Sequence, residues 1–126
     1  MKPEIKQKWI DALRSGKYKP TTGALCRVLP SGSRYFCAVG VLADIFIKET
    51  KRGKWQPHPP FTVQFIVVDG DYQAKEDMQL PTSIIVWAGN PEDCFLRAIA
   101  EENDDGTPFS VLADYIERGR LNGTTL

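Results

Sequence analysis

The chain of 126 residues contains 42% hydrophobic and 25% charged residues, and its 16 Lys and Arg balance its 16 Asp and Glu. This length and composition predict one globular domain spanning residues 1–126, and no apolar run is long enough to span a membrane. The N-terminus lacks the apolar core of a secretion signal, so we expect a cytoplasmic protein. The three cysteines lack Cys-x-x-Cys spacing, which excludes a zinc ribbon, and their odd number argues against a disulfide framework.

The order of apolar residues, prolines and glycines predicts an α+β fold. Helices are expected over residues 3–15, 37–49, 90–102 and 107–118, the third capped by Asn90 with Pro91 in its first position. Residues 80–89 are ambiguous: Ile84, Ile85 and Val86 favour a strand, whereas Pro81 and Gly89 favour a short helix, which we prefer. Strands are expected over residues 24–29, 34–36, 61–68 and 72–74. The prolines of segment 55–60 predict an extended stretch outside the sheet, and residues 121–126 are expected to form a loose tail. We therefore predict a small antiparallel sheet packed against a buried central helix, with an N-terminal helix and a C-terminal helical hairpin.

The predicted central helix contains the first candidate site. Its run from Cys37 to Ile47 is apolar on every helical face except at Gly40 and Asp44, which is typical of a buried helix. Cys37 falls at the helix N-terminus, where the helix dipole can lower the pKa of a thiol. Cys37 is therefore a candidate nucleophile of a cysteine-dependent hydrolase, and His58, the only histidine, is the candidate general base. The alternative is that Cys37 is a small buried core residue.

Asp44 is the second candidate, because a buried carboxylate must be paired or hydrogen-bonded. One interpretation makes it an acid in a ligand pocket. The other pairs it with a base such as Arg34 or Arg27, or with backbone amides.

The charges are unevenly distributed along the chain. Residues 1–60 contain twelve Lys and Arg against four acidic residues, whereas residues 61–126 contain four against twelve. A basic half with aromatic residues can bind a nucleotide-like ligand, and the candidate residues are Tyr18, Arg34, Asp44, Arg52, Lys54 and Trp55, with Trp55 expected to be the most exposed aromatic. The alternative is that the two halves face each other, or that the charges are solvated, because the bases are scattered rather than clustered in one run.

Four motifs along most of the chain carry a family resemblance. They are Trp-x3-Leu-x-Ser-Gly-Lys-Tyr from Trp9, Tyr-x-Cys-x-x-Gly-Val-Leu-x-Asp from Tyr35, Leu-Pro with Trp-Ala-Gly from Leu80 to Gly89, and Asn-Asp-x-Gly-x-x-Phe-x-x-x-Ala-Asp-x-Ile-Glu from Asn103. Their combination resembles a family of small uncharacterised bacteriophage and prophage proteins. The resemblance implies a phage genome and no mechanism. Relatives carry further cysteines where this chain has Phe36 and Ala43, so a cysteine metal cluster is not expected.

Three functions remain open from the sequence. The first is a phage-encoded accessory protein, non-enzymatic and acting against a host defence by binding a host protein or a nucleotide-like signal. The second is the hydrolase using Cys37 and His58. The third is a nucleic-acid-associated module using the basic half, although nucleic acid is the less expected partner because the acidic helices 90–118 do not suit DNA. We expect no cofactor, no metal and no membrane partner.

Overall fold

The computed structural model describes residues 1–59, 61–69, 71–72 and 79–126, the side chains of residues 71 and 72 excepted. The helices are α1 (Pro3–Arg14), α2 (Ala38–Thr50), α3 (Thr82–Trp87), α4 (Asp93–Asp104) and α5 (Phe109–Arg118). The strands are β1 (Cys26–Val28), β2 (Arg34–Phe36), β3 (Gly53–Pro57), β4 (Val63–Val68), β5 (Asp71–Tyr72), β6 (Arg120–Leu121) and β7 (Thr124–Thr125). The predicted α+β class is confirmed.

The main sheet is antiparallel, with the strand order β2-β1-β4-β3 and with β5 paired to the far end of β4. One row of paired residues runs across it, from Phe36 through Cys26 and Gln64 to Pro57. Along β4, Gln64, Ile66 and Val68 are buried on one face, and the last two belong to the core; on the opposite face Val63 and Phe65 are partly buried and Val67 is buried. The sheet therefore has one face packed on the core and one outer face.

Helix α2 lies in the core, as expected, since every residue from Ala38 to Phe46 is buried. The core around it joins all five helices, including Trp9 of α1, Ile84 of α3, Phe95 of α4 and Ile116 of α5. The C-terminal helix α5 packs chiefly against α1. Arg14 of α1 also forms ion pairs with acidic residues of α5, so the basic and acidic halves of the chain do meet at this interface.

Three predicted elements need correction. The segment 55–60, expected to lie outside the sheet, overlaps strand β3. A strand is compatible with the prolines here, because β3 pairs only with β4 among the described strands and ends at Pro57. Helix α4 begins at Asp93 rather than Pro91, since Asn90 has a φ of 55°, which is not helical. The expected loose tail is the hairpin β6–β7, in which Asn122 and Gly123 both have positive φ, as a tight two-residue turn requires.

The other element predictions are confirmed within one to three residues at their ends. The segment 80–89, which is ambiguous between strand and helix, contains helix α3. The Asp69-Gly70 signal precedes β5, which pairs back on Val67 and Val68. Residues 73–74 of that predicted strand lie outside the described residues.

Candidate functional site

The N-terminus of α2 is held by contacts from several parts of the chain. Its first amide, Ala38 N–H, donates to Asn103 Oδ1 at 3.0 Å, and the Trp9 indole donates to the Ala38 carbonyl at 2.8 Å. Cys37 is the N-cap residue, and its sulfur accepts a hydrogen bond from Gly40 N–H at 3.3 Å. These partners occupy the amides that would otherwise bind an anion at a helix N-terminus.

Cys37 is in the predicted place, and of its two interpretations the structure favours the buried core residue over the activated nucleophile. The thiol is fully buried, and this burial raises its pKa to about 11, although hydrogen bonds from the amides of Gly40 and Val39 act in the opposite direction. Desolvation of the thiolate therefore outweighs the field of the helix N-terminus. A thiol in this state is not a prepared nucleophile.

His58 does not lie near Cys37. Pro57, which precedes His58, and Phe36, which precedes Cys37, lie at opposite ends of one row of paired residues across four strands. Three strand spacings separate them, which is about 14 Å. The imidazole of His58 instead contacts the rings of Phe61 and Phe65, with centroid distances of 6.0 and 4.5 Å. The structure does not bring the proposed hydrolase pair together.

Asp44, Tyr18 and Trp55, three of the predicted ligand-binding residues, do meet. Tyr18 O–H donates to Asp44 Oδ2 at 2.7 Å, and Trp55 Nε1–H donates to Asp44 Oδ1 at 3.0 Å. Lys48, one helical turn after Asp44, places its Nζ 3.0 Å from Oδ2. We call these four residues the Asp44 cluster. It links α2 to β3 and to the loop after α1.

The geometry of the Asp44 cluster favours the structural interpretation of Asp44. Its actual partners are Lys48, Tyr18 and Trp55, so the expected pairing with Arg34 or Arg27 is wrong. Burial and the bond to Asp44 raise the pKa of Tyr18; for Lys48, burial lowers the pKa but the bonds to Asp44 and Tyr18 raise it overall. Trp55 is only 8% exposed, so the expectation that it is an exposed stacking surface is also wrong.

The other predicted ligand-binding residues are exposed and separate from the Asp44 cluster. Arg52 forms a forked ion pair with Asp69, which raises the pKa of the guanidinium and lowers that of the carboxyl. Lys54 lies on the edge strand β3, and Arg34 lies on β2. These three residues do not contact Tyr18, Asp44 or Trp55 through any hydrogen bond or ion pair within the described part of the chain.

A groove of about 640 Å³ lies between α3 and α4, and no motif of the sequence pointed to it. Its wall is partly apolar, formed by Val39 of α2, Leu80, Ile85 of α3, Pro91, and Leu96 and Ala100 of α4. Its polar lining includes three carboxylates, from Asp93, Glu101 and Asp104, and one guanidinium, from Arg97. Arg97 pairs with Asp93 at 2.9 Å, so the groove has a net negative charge. We call it the α3–α4 groove.

Asn103 forms a second feature that the sequence did not predict: its side chain joins separate parts of the fold. It is buried within α4, and besides accepting from Ala38 N–H it donates through Nδ2 to the Thr21 carbonyl at 2.7 Å. Helix α4 continues through Asp104, two residues beyond the predicted end at residue 102, so Asn103 is a helical residue. Ala38 and Thr21 are 65 and 82 positions away from Asn103 in the sequence. Contacts over such separations leave no local signal in a sequence.

No helix within the described ranges is long and apolar enough to cross a membrane. Among His, Cys, Asp and Glu side chains of the same residues, no group of three or more is placed to hold a metal ion.

Comparison with known proteins places the chain in a sequence family. Residues 1–120 match the sequence model of a family described as a domain of unknown function, DUF8296. No curated protein and no solved structure matches the chain. Because the match covers 120 of the 126 residues, this chain belongs to the DUF8296 family.

Proposed function

We propose that this chain is a phage-encoded accessory protein that acts by binding a host defence protein, and that the α3–α4 groove receives a short basic segment of that partner. The phage setting comes from the sequence resemblance. The binding mode comes from the groove, whose apolar wall and negative charge are the single observation that supports it. An apolar recess with a charged rim is the usual form of a site for an amphipathic peptide segment.

Binding is favoured over catalysis by the chemistry of the candidate residues. Cys37 is buried with a pKa of about 11, and His58 is several strands away from it. A protein partner is favoured over a nucleotide-like signal because Trp55 and Tyr18 point their polar atoms at Asp44. Their hydrogen-bonding groups are thereby used within the fold.

The charge of the groove determines the chemistry of the segment. Asp93 is already neutralised by Arg97, which leaves Glu101 and Asp104 as the carboxylates without a paired cation among the described side chains. Asp104 also accepts a hydrogen bond from Gly23 N–H at 3.0 Å, so it is held in place. We therefore expect Lys or Arg beside two or three apolar side chains in the bound segment.

A pair of synthetic helical peptides tests this proposal. One carries Leu on one face and Lys on the other, and the second carries Glu in place of Lys; binding is followed by isothermal titration calorimetry. The Lys peptide should bind, and the Glu peptide should bind at least about tenfold more weakly, because like charges oppose each other at the rim.

Variants locate the binding on the molecule. Ala100→Trp fills the groove and Glu101→Arg reverses its charge, so each should weaken the Lys peptide at least about tenfold. Glu4→Arg changes the net charge by the same amount on the exposed surface of α1 and should leave binding unchanged. Equal binding by both peptides, or full binding by Ala100→Trp, would contradict the proposal.

In cells, wild type and Glu4→Arg should rescue plaque formation by a defence-sensitive phage, and Glu101→Arg should not.

A further inference from the structure

We propose a second binding site, on the outer face of the main sheet, whose ligand is single-stranded nucleic acid. It differs from the α3–α4 groove in position and in charge. The basic residues of the first half are scattered along the sequence, which is why the sequence alone favours other partners. The strand pairing places several of them on one surface.

Strand register defines this surface. Arg27 of β1 is paired with Tyr35 of β2 on one side and with Val63 of β4 on the other. Lys54 of β3 is paired with Val67, four residues further along β4 than Val63. Residues an even number of positions apart on a strand share a face, so all of these side chains lie on the face opposite the core. Val67 is itself only 7% exposed, so the accessible part of this face lies around Arg27, Tyr35 and Lys54. We call this surface the outer sheet face.

Aromatic rings and cations occur together on the outer sheet face. Lys19 Nζ lies 5.6 Å from the centre of the Tyr35 ring. The guanidinium of Arg27 is held by the Thr22 carbonyl and the Thr62 hydroxyl at 3.2 to 3.3 Å, which fixes its orientation. Phe61 is 64% exposed and is stacked on His58, which also contacts Phe65 of the same face. The face thus combines one guanidinium of fixed orientation and exposed lysines with planar side chains.

Carboxylates are absent from the four strands that form this face. No Asp or Glu occurs between Asp11 and Asp44, nor between Glu49 and Asp69, and these intervals contain β1, β2, β3 and β4. A surface with cations and aromatic rings, and with no acidic residue in these four strands, suits a ligand that has both phosphates and exposed base faces. Single strands expose those base faces, whereas duplexes hide them in the stack.

Fluorescence anisotropy with fluorescein-labelled oligo(dT) and oligo(U) of about 15 nucleotides tests the proposal, at about 50 and 200 mM NaCl. Binding should occur at the lower salt, weaken at the higher salt, and be competed poorly by a duplex of the same length. Tyr35→Leu keeps an apolar side chain but removes the ring, so it should weaken binding about tenfold. No binding at the lower salt would overturn the proposal, as would equal competition by the duplex.

Charge variants distinguish a specific face from general attraction. The double variant Lys19→Gln and Lys54→Gln should weaken binding and lower the salt slope by about 1.4, because each phosphate contact on a single strand contributes about 0.7. The control is Arg118→Gln with Arg120→Gln, which removes the same charge from α5 and the C-terminal hairpin. An equal loss in the control would overturn the proposal. These outcomes are independent of peptide binding in the α3–α4 groove.

Discussion

Asp44 is a carboxylate only 5% exposed, and three donors from separate parts of the chain satisfy it. The Asp44→Asn substitution keeps the size but removes the charge that Lys48 pairs with, and it presents an NH₂ group to one of the donors. We expect it to lower the free energy of unfolding by about 1–3 kcal/mol, since a buried donor is left unsatisfied.

Urea denaturation checks this, with Tyr18→Phe and the double variant completing a thermodynamic cycle. A coupling between residues 18 and 44 is expected because they share a 2.7 Å hydrogen bond. Additive effects of the two substitutions would show that this bond contributes nothing to stability. The matched control is Asp69→Asn. It removes the ion pair with Arg52, and because both side chains are exposed this should change the free energy of unfolding little.

The two buried cysteines predict a loss of stability at alkaline pH. Burial raises the pKa of Cys37 from 9.0 to about 11 and that of Cys26 from 9.0 to about 12. Above about pH 9 the unfolded chain releases these protons while the folded chain retains them, so stability falls as pH rises through this range. Each thiol contributes a slope of up to about 1.4 kcal/mol per pH unit.

Denaturation at pH 8, 9 and 10 measures that slope. Cys37→Ser retains a capping oxygen without the thiol and should reduce the slope, whereas Cys94→Ser, at an exposed position, should not. The same contrast should appear in alkylation of the folded protein, where Cys94 reacts first. Rapid alkylation of Cys37 at neutral pH would contradict the burial described above.

At the scale of elements, Asn103 joins α4 to the first turn of α2 and to the loop at Thr21. Asn103→Ala leaves Ala38 N–H and the Thr21 carbonyl without this partner, and we expect a loss of about 1–3 kcal/mol. Amide exchange of Ala38 should accelerate more than that of α5. Asp105→Ala, an exposed change at the end of the same helix, is the control. Equal amide exchange at Ala38 in both variants would show that the Asn103 side chain does not protect the Ala38 N–H.

The elements themselves were largely predictable, because apolar spacing and capping residues act locally. The hairpin β6–β7 is not predicted by apolar pattern, which short strands at a chain end lack, although Asn122-Gly123 is a strong turn signal. Strand β3 is not predicted either, because the prolines argue against the interior of a sheet, whereas an edge strand tolerates proline at its end.

The candidate sites were less predictable than the elements. The sequence did identify Tyr18, Asp44 and Trp55, but their mutual contacts require the loop after α1, α2 and β3 to pack together. The α3–α4 groove is a property of the space between helices, to which no single residue contributes a signal. The outer sheet face appears only when the strands are paired in register.

For the whole molecule, one core cluster contains residues of every helix and of the four main strands. We therefore expect unfolding in urea to be a single transition. The fluorescence of Trp9, Trp55 and Trp87 reports on α1, β3 and α3, and it should coincide with the loss of far-ultraviolet circular dichroism. Separate transitions would show that α1 and α5 unfold independently of the sheet.

The approach of α2 to Leu25 imposes a rule on related sequences. A Cβ added at Gly40 would lie 1.8 Å from the Leu25 carbonyl oxygen, and that atom is backbone. Any side chain at this position would push the helix away from β1. Cys37, in contrast, serves as a cap, a role that Ser, of similar size and uncharged, can also fill. In other chains with this Cys-x-x-Gly spacing, the glycine is the part that should resist evolutionary change, and the cysteine can vary without loss of the fold.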